Sequence, residues 1–176
     1  NIHHGVIIPD TFMKAVENDG AWGLISRNTG DVVSLVRARS LWEKLLSARI
    51  EHGEPYIMFK DTCKRGTPVH QSYFGHYPTT SNLCSEITLH TDENRTAVCC
   101  LASLNAEFFE EWKDEGLVRD ILEMLDNVLT DFTRKAKAIP GLDKAQYSAW
   151  SERAVGLGLM GFHSYLQSRT IPMGSV

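Results

Sequence analysis

Strand-length apolar runs alternate with apolar stripes of helical period along this chain, within only 176 residues. Such alternation argues an α/β architecture built from strand–helix units. A closed eight-stranded α/β barrel takes about 250 residues. This chain is therefore expected to supply a few adjacent units and not a complete barrel. The longest helical stripe runs over Glu115 to Lys137, with Leu117, Val118, Ile121, Leu122, Leu125, Val128, Leu129 and Phe132 forming one continuous apolar stripe and Pro140-Gly141 ending it. A second helix is read over Ser34 to His52 from the spacing of Leu35, Ala38, Leu41, Trp42 and Leu45, with Gly53 as its stop. A third starts at Pro9-Asp10, where Asp10 can cap the first free N–H groups and Phe12, Met13 and Val16 share a face.

The strand candidates are Pro55 to Phe59, Leu83 to Leu89, Ala97 to Leu101 and Ala154 to Leu159. Asp92-Glu93-Asn94-Arg95 offers turn residues between the second and third, so a hairpin is expected there. Gly161 opens a last helix through Tyr165 and Leu166, while Gly20 to Asp31 and Lys64 to Thr80 read as loops. Residues 1–176 are read as a single segment, with no internal repeat.

A 43% hydrophobic and 23% charged composition suits a soluble globular chain. The formal net charge of -4 gives no electrostatic basis for nucleic-acid or membrane partners, and no apolar run is long enough to span a bilayer. Asn1 to Gly5 lack a basic stretch leading into an apolar region, so no secretory signal and a cytoplasmic location are expected. The chain starts at Asn1 without a methionine and stops at Val176 with no terminating element, which leads us to expect a piece of a longer or split polypeptide. Cys63, Cys84, Cys99 and Cys100 do not make a small disulfide scaffold; in a reducing compartment a special cysteine is more often catalytic. Cys63 reads as structural and Cys100, opposite in facing to its neighbour Cys99, as core packing. His3 and His4 are adjacent, and His70 and His76 sit in a loop without cysteine partners, so no metal is expected. Gly156, Gly158 and Gly161 have G-x-G-x-x-G spacing but no acidic residue about 20 positions on, and read as glycines that permit close packing.

The sharpest chemistry lies in Ser81-Asn82-Leu83-Cys84-Ser85-Glu86-Ile87. On a strand, Asn82, Cys84 and Glu86 would share a face. An amide can hold a hydroxyl, a carboxylate can take its proton, and a thiol between them can do nucleophilic or radical work. The bland alternative, a half-exposed strand with a buried cysteine, fits the spacing equally well.

S-N-L-C-S-E-I at Ser81 to Ile87, followed by A-V-C-C-L-A-S-L-N at Ala97 to Asn105, resembles the large-subunit signature of class I ribonucleotide reductases. I-P-D-T-F-M-K-A-V-E at Ile8 to Glu17, G-E-P-Y-I-M-F-K-D-T at Gly53 to Thr62 and R-A-V-G-L-G-L-M-G-F-H at Arg153 to His163 are similar to further segments of that family, in family order. The resemblance implies part of a ten-stranded α/β barrel and a ribonucleoside-diphosphate reductase that makes deoxyribonucleotides, for DNA replication, by a thiyl-radical mechanism. It implies that Cys84 becomes the thiyl radical that takes the 3′ hydrogen, that Glu86 accepts the proton of the 3′ hydroxyl, and that Asn82, with Ser81, holds the substrate. It implies that Cys99 is one of two cysteines that deliver reducing equivalents and end as a disulfide. No residue of the chain fits the second redox cysteine, and the family's paired tyrosines, main phosphate loop and C-terminal cysteine pair are also missing. Ala106 stands where a larger apolar residue is the family pattern.

The implied partners are the ribonucleotide substrate, the rest of the large subunit or a companion chain, a dimetal-containing small subunit that generates the radical, and a thioredoxin- or glutaredoxin-type reductant. No cofactor is expected on this chain itself. Two other readings accompany the enzyme: an assembly module, inactive alone, that completes a companion's barrel, and a degenerate inactive copy. The intact Asn82, Cys84, Glu86 and Cys99 weigh against the last.

Overall fold

The computed structural model describes residues 2–175. They fall into two compact units, one ending at Asp92 and the other starting at Glu93. Each contains one parallel strand pair whose strands are linked by helices, as parallel pairing requires.

In the first unit, β1 (Gly5–Ile8) pairs with β4 (Tyr56–Phe59), Gly5 opposite Tyr56 and Ile8 opposite Phe59. Between them run α1 (Asp10–Glu17), β2 (Ala21–Ile25), β3 (Val32–Arg37) and α2 (Ala38–His52). Ile8, Phe12, Val16 and Ala38 form the core, with Met13, Trp22, Leu41, Trp42 and Leu45 packed around it. The Phe12 and Trp22 rings meet edge to face at 5.1 Å. Arg39 closes the C-terminal end of α1 by donating to the carbonyls of Val16 and Glu17 at 3.1 and 3.2 Å. Gly53 ends α2 in the left-handed conformation, φ +75°, its N–H bonded to the Arg49 carbonyl.

Four expectations change here. Ala21–Ile25 is a strand and not part of a loop, and it pairs antiparallel with Val32–Arg37, so the helix expected from Ser34 starts at Ala38. The β-branched Val32, Val33 and Val36 favour the ladder, and Leu35, counted toward the helical stripe, is 71% exposed. Asp10 makes no cap hydrogen bond with its side chain; its backbone N–H donates to Asp61 at 2.7 Å, so α1 is capped by a carboxylate distant in sequence. Short helices α3 (Lys60–Arg65), which holds Cys63, and α4 (Val69–Tyr73) occupy part of the stretch read as a loop.

The second unit holds β5 (Cys100–Asn105), a 3-10 turn (Ala106–Phe108), α5 (Phe109–Trp112), α6 (Leu117–Ala136), α7 (Asp143–Glu152), β6 (Val155–Met160) and α8 (Phe162–Ser168). β5 and β6 pair parallel, Cys100 opposite Val155 and Asn105 opposite Met160. The expected hairpin across Asp92 to Arg95 therefore does not form: Leu83 to Leu89 is not a strand, and β5 pairs forward with β6. Leu125 and Leu129 of α6 are buried, as are Leu104, Ala106 and Ala149. Val118, Leu122 and Val128, from the same stripe, remain exposed. The helix α7 was not foreseen. It is tied down by Arg95, which pairs with Glu152 at 2.8 Å and lies over the Tyr147 ring, and by Arg153, which donates to Asp126 and Thr130 of α6. No helix among the described residues is long and apolar enough to cross a membrane, and no described group of three or more His, Cys, Asp or Glu is arranged to hold a metal ion.

Candidate functional site

Residues 79–91 form a loop whose ends are pinned together. Pro78 and His90 form an isolated antiparallel bridge, and the Thr79 hydroxyl donates to the Thr91 carbonyl at 2.7 Å. The His90 ring holds the same base, with Nδ1 2.8 Å from the Tyr77 carbonyl and Nε2 2.9 Å from the Asp92 carboxylate. His76 stacks on it at 4.9 Å. Pinning both ends of a compact loop fixes what its tip presents.

The tip is a turn over Asn82 to Ser85, closed by the Ser85 N–H on the Asn82 carbonyl at 3.1 Å. Ser85 takes a positive φ of +63° to complete it. The side chains then knit the loop across. Asn82 Nδ2 donates to Glu86 Oε1 at 2.6 Å, Asn82 Oδ1 accepts from the Ile87 N–H at 3.1 Å, and the Ser81 hydroxyl donates to the Ile87 carbonyl at 2.7 Å. Leu83 and Cys84 are the central residues of the turn, and the Cys84 thiol is exposed. The strand arrangement expected for Asn82, Cys84 and Glu86 is thus corrected: a turn, not a shared strand face, brings amide and carboxylate together, and Cys84 is a central residue of that turn. Asn and Ser readily bond to nearby backbone in non-strand conformations, and they do so here at both ends of the segment.

The loop borders a cleft of about 210 Å³ in the first unit. Thr80, Ser81, Asn82, Leu83 and Ser85 line one side; His4, Val6, Tyr56 and Met58, from β1, β4 and the residue before β1, line the other. Reading the sequence weighed His4 only as a metal ligand and did not single out Val6, Tyr56 or Met58. Their only signal was strand alternation, which puts Tyr56 and Met58 on one face of β4. Glu54 accepts a hydrogen bond from the cleft residue His3, which holds its carboxyl below the usual carboxylate range.

Cys99 belongs to the second unit. It immediately precedes β5 and is half-buried, its thiol facing the Cys100 carbonyl at 3.7 Å. Strand alternation puts Leu101, Ser103 and Asn105 on the Cys99 side and Cys100, Ala102 and the buried Leu104 on the other. On β6, a Cβ at Gly156 would come within 2.5 Å of the Leu101 side chain, and one at Gly158 within 2.9 Å of the Ser103 hydroxyl. These glycines accommodate side chains of the neighbouring strand, in keeping with a packing role.

The chain matches the model of the ribonucleotide reductase barrel domain over residues 1–176. It is 48% identical over 156 residues to a ribonucleoside-diphosphate reductase large subunit of Invertebrate iridescent virus 3, covering 88% of this chain and 24% of that protein. It is 54% identical over 93 residues to that of Invertebrate iridescent virus 6, covering 52% of this chain and 10% of that protein. Among solved structures, an Actinobacillus ureae class Id ribonucleotide reductase alpha subunit superposes with a TM-score of 0.80 at 36% identity, over 96% of this chain and 30% of that one. The chain spans a third or less of the length of these relatives.

Proposed function

The chain belongs to the ribonucleotide reductase barrel-domain family, and from that premise we propose that it carries the radical loop of a ribonucleoside-diphosphate reductase large subunit. The observation that carries this reading is the 2.6 Å hydrogen bond between Asn82 and Glu86 across the turn that presents the Cys84 thiol. In the proposed reaction Cys84, oxidised to a thiyl radical by a dimetal-containing small subunit, takes the 3′ hydrogen atom of a ribonucleotide. The C–H bond breaks and an S–H bond forms. Glu86 accepts the proton of the 3′ hydroxyl, and Asn82 and Ser81 hold the ribose. Two thiols supply two electrons and two protons and close a disulfide as the 2′ oxygen leaves as water and a hydrogen takes its place, and Cys84 then returns its hydrogen atom to C3′, which restores the thiyl radical. Cys99 is one of them; the second comes from outside these residues, and a thioredoxin- or glutaredoxin-type dithiol resets the pair.

The test is deoxyribonucleotide formation by a complete large subunit carrying this segment, with its small subunit and dithiothreitol. Cys84→Ser is expected to abolish turnover, because the serine O–H bond is too strong for a reversible hydrogen-atom carrier. Near-normal turnover in that variant would overturn the assignment. The exposure of Cys84, and the outer edges of β1 and β4 that no strand pairs among the described residues, favour a second reading for the chain by itself: an assembly module that completes a companion's barrel and is inactive alone.

A further inference from the structure

We infer that Leu101 is a positioning residue for the Cys99 thiol, seated in a notch that Gly156 leaves open; the consequence for reduction rests on the reading of Cys99 as a redox thiol. Leu101 stands two residues beyond Cys99 on the same side of the chain, and the β5–β6 register sets it directly opposite Gly156. A Cβ built on Gly156 would lie 2.5 Å from Leu101 Cδ2 and 3.9 Å from Cys99 Sγ. The leucine methyl and the cysteine sulfur therefore border one point, and the methyl can sit there only because residue 156 has no side chain. Leu101 is not there to fill a core, for it is 56% exposed. The next pair along the same face, Ser103 and Gly158, is small, so the leucine stands as a wall beside the thiol. A thiol that must meet one partner sulfur within the narrow geometry of a disulfide gains from a fixed rotamer and one open side of approach.

The arrangement makes separable demands on two substitutions. Leu101→Ala removes the wall. Gly156→Ala keeps it but evicts its methyl from the notch, at little cost to the fold because the displaced atom is the end of an exposed side chain. The experiment is timed alkylation of the full chain with iodoacetamide, read cysteine by cysteine by peptide mass spectrometry, with Cys63, Cys84 and Cys100 as internal references. Leu101→Ala is expected to raise the Cys99 rate several-fold while the references hold, and Leu101→Met to restore it toward wild type. Gly156→Ala is expected to change the Cys99 rate when Leu101 is present and to have no effect in the Leu101→Ala background. An unchanged Cys99 rate in Leu101→Ala overturns the proposal, and so does a Gly156→Ala effect of equal size in both backgrounds. Because no substrate is involved, either failure leaves the reductase reading standing. Conversely, a shifted Cys99 rate with no loss of turnover in Cys99→Ser would sink the redox role and spare the positioning.

Discussion

Asn82 and Glu86 are a single hydrogen-bonded unit, and what each contributes can be separated by substitutions that keep the shape of that unit. Glu86→Gln retains an oxygen that can accept from Asn82 Nδ2, so the turn is expected to persist. The amide cannot take a proton, and loss of a general base typically costs about 10² to 10⁴-fold in rate. In a complete subunit the expected outcome is a KM near wild type with kcat lowered into that range, read by rapid-quench turnover. A KM rise with unchanged kcat would mean that Glu86 only binds. Cys99→Ser is expected to fail differently from Cys84→Ser: the radical still forms and takes the first hydrogen, but the dithiol is broken. Loss of radical signal on substrate addition in Cys99→Ser, together with absent product, checks this. The residue types at the candidate site were legible in the sequence because an amide, a thiol and a carboxylate at alternate positions are rare together. Their geometry was not, since period-two spacing serves a strand and a knitted turn alike, and only the cross-bonds to Ile87 decide between them.

Among the elements, α1, α6, β4, β6 and α8 were legible where apolar period and terminal glycines agree. Gly53 and Gly161 both stop or open a helix at positive φ. The β2–β3 ladder was not, because Trp22, Leu24 and Ile25 sit among turn-forming residues and Val32 to Leu35 run on into a true helical stripe without a break. The parallel partner of β5 was also illegible, since β6 lies some fifty residues further on and no local signal reaches that far. The two glycines make an internal comparison. A Cβ at Gly53 meets nothing within 4 Å, whereas one at Gly161 would lie 2.1 Å from Asn105 Oδ1, the oxygen that caps the 3-10 turn by accepting from the Glu107 N–H. Gly53→Ala is expected to cost only the left-handed conformational penalty, about 1–2 kcal/mol. Gly161→Ala is expected to cost more, because it also displaces Asn105 and frees the Glu107 N–H. Urea melts of the two variants test the order. Equal midpoints would show that the Asn105 contact contributes nothing, and a partial recovery in Asn105→Ala/Gly161→Ala would locate the clash.

At the scale of the whole molecule, the chemistry proposed for Cys84 and the surroundings it has within 176 residues make opposite demands. A carbon- or sulfur-centred radical survives only where water, oxygen and stray reductants are kept out. Here the thiol stands exposed at the tip of its loop. The strands that a barrel would bury on both faces are instead in two-stranded pairs, with no third strand beside β1, β4, β5 or β6 among the described residues. Ile25, Val33 and Leu35 project large apolar surface from the hairpin. Unpaired edges and apolar patches of this kind invite association. The purified chain is accordingly expected to form no deoxyribonucleotide above background when given a radical-generating small subunit, ribonucleoside diphosphate and dithiothreitol, and to self-associate or pair with a companion that supplies the missing strands. Sizing with light scattering across a wide concentration range reads the association, and Cys84 alkylation reads enclosure: the thiol should react quickly in the chain alone and slowly once a companion is bound. Sustained turnover by the monomeric chain would show that 176 residues suffice to shelter the radical. A soluble monomer at every concentration, with Cys84 equally reactive with and without the companion, would remove the case for a shared barrel.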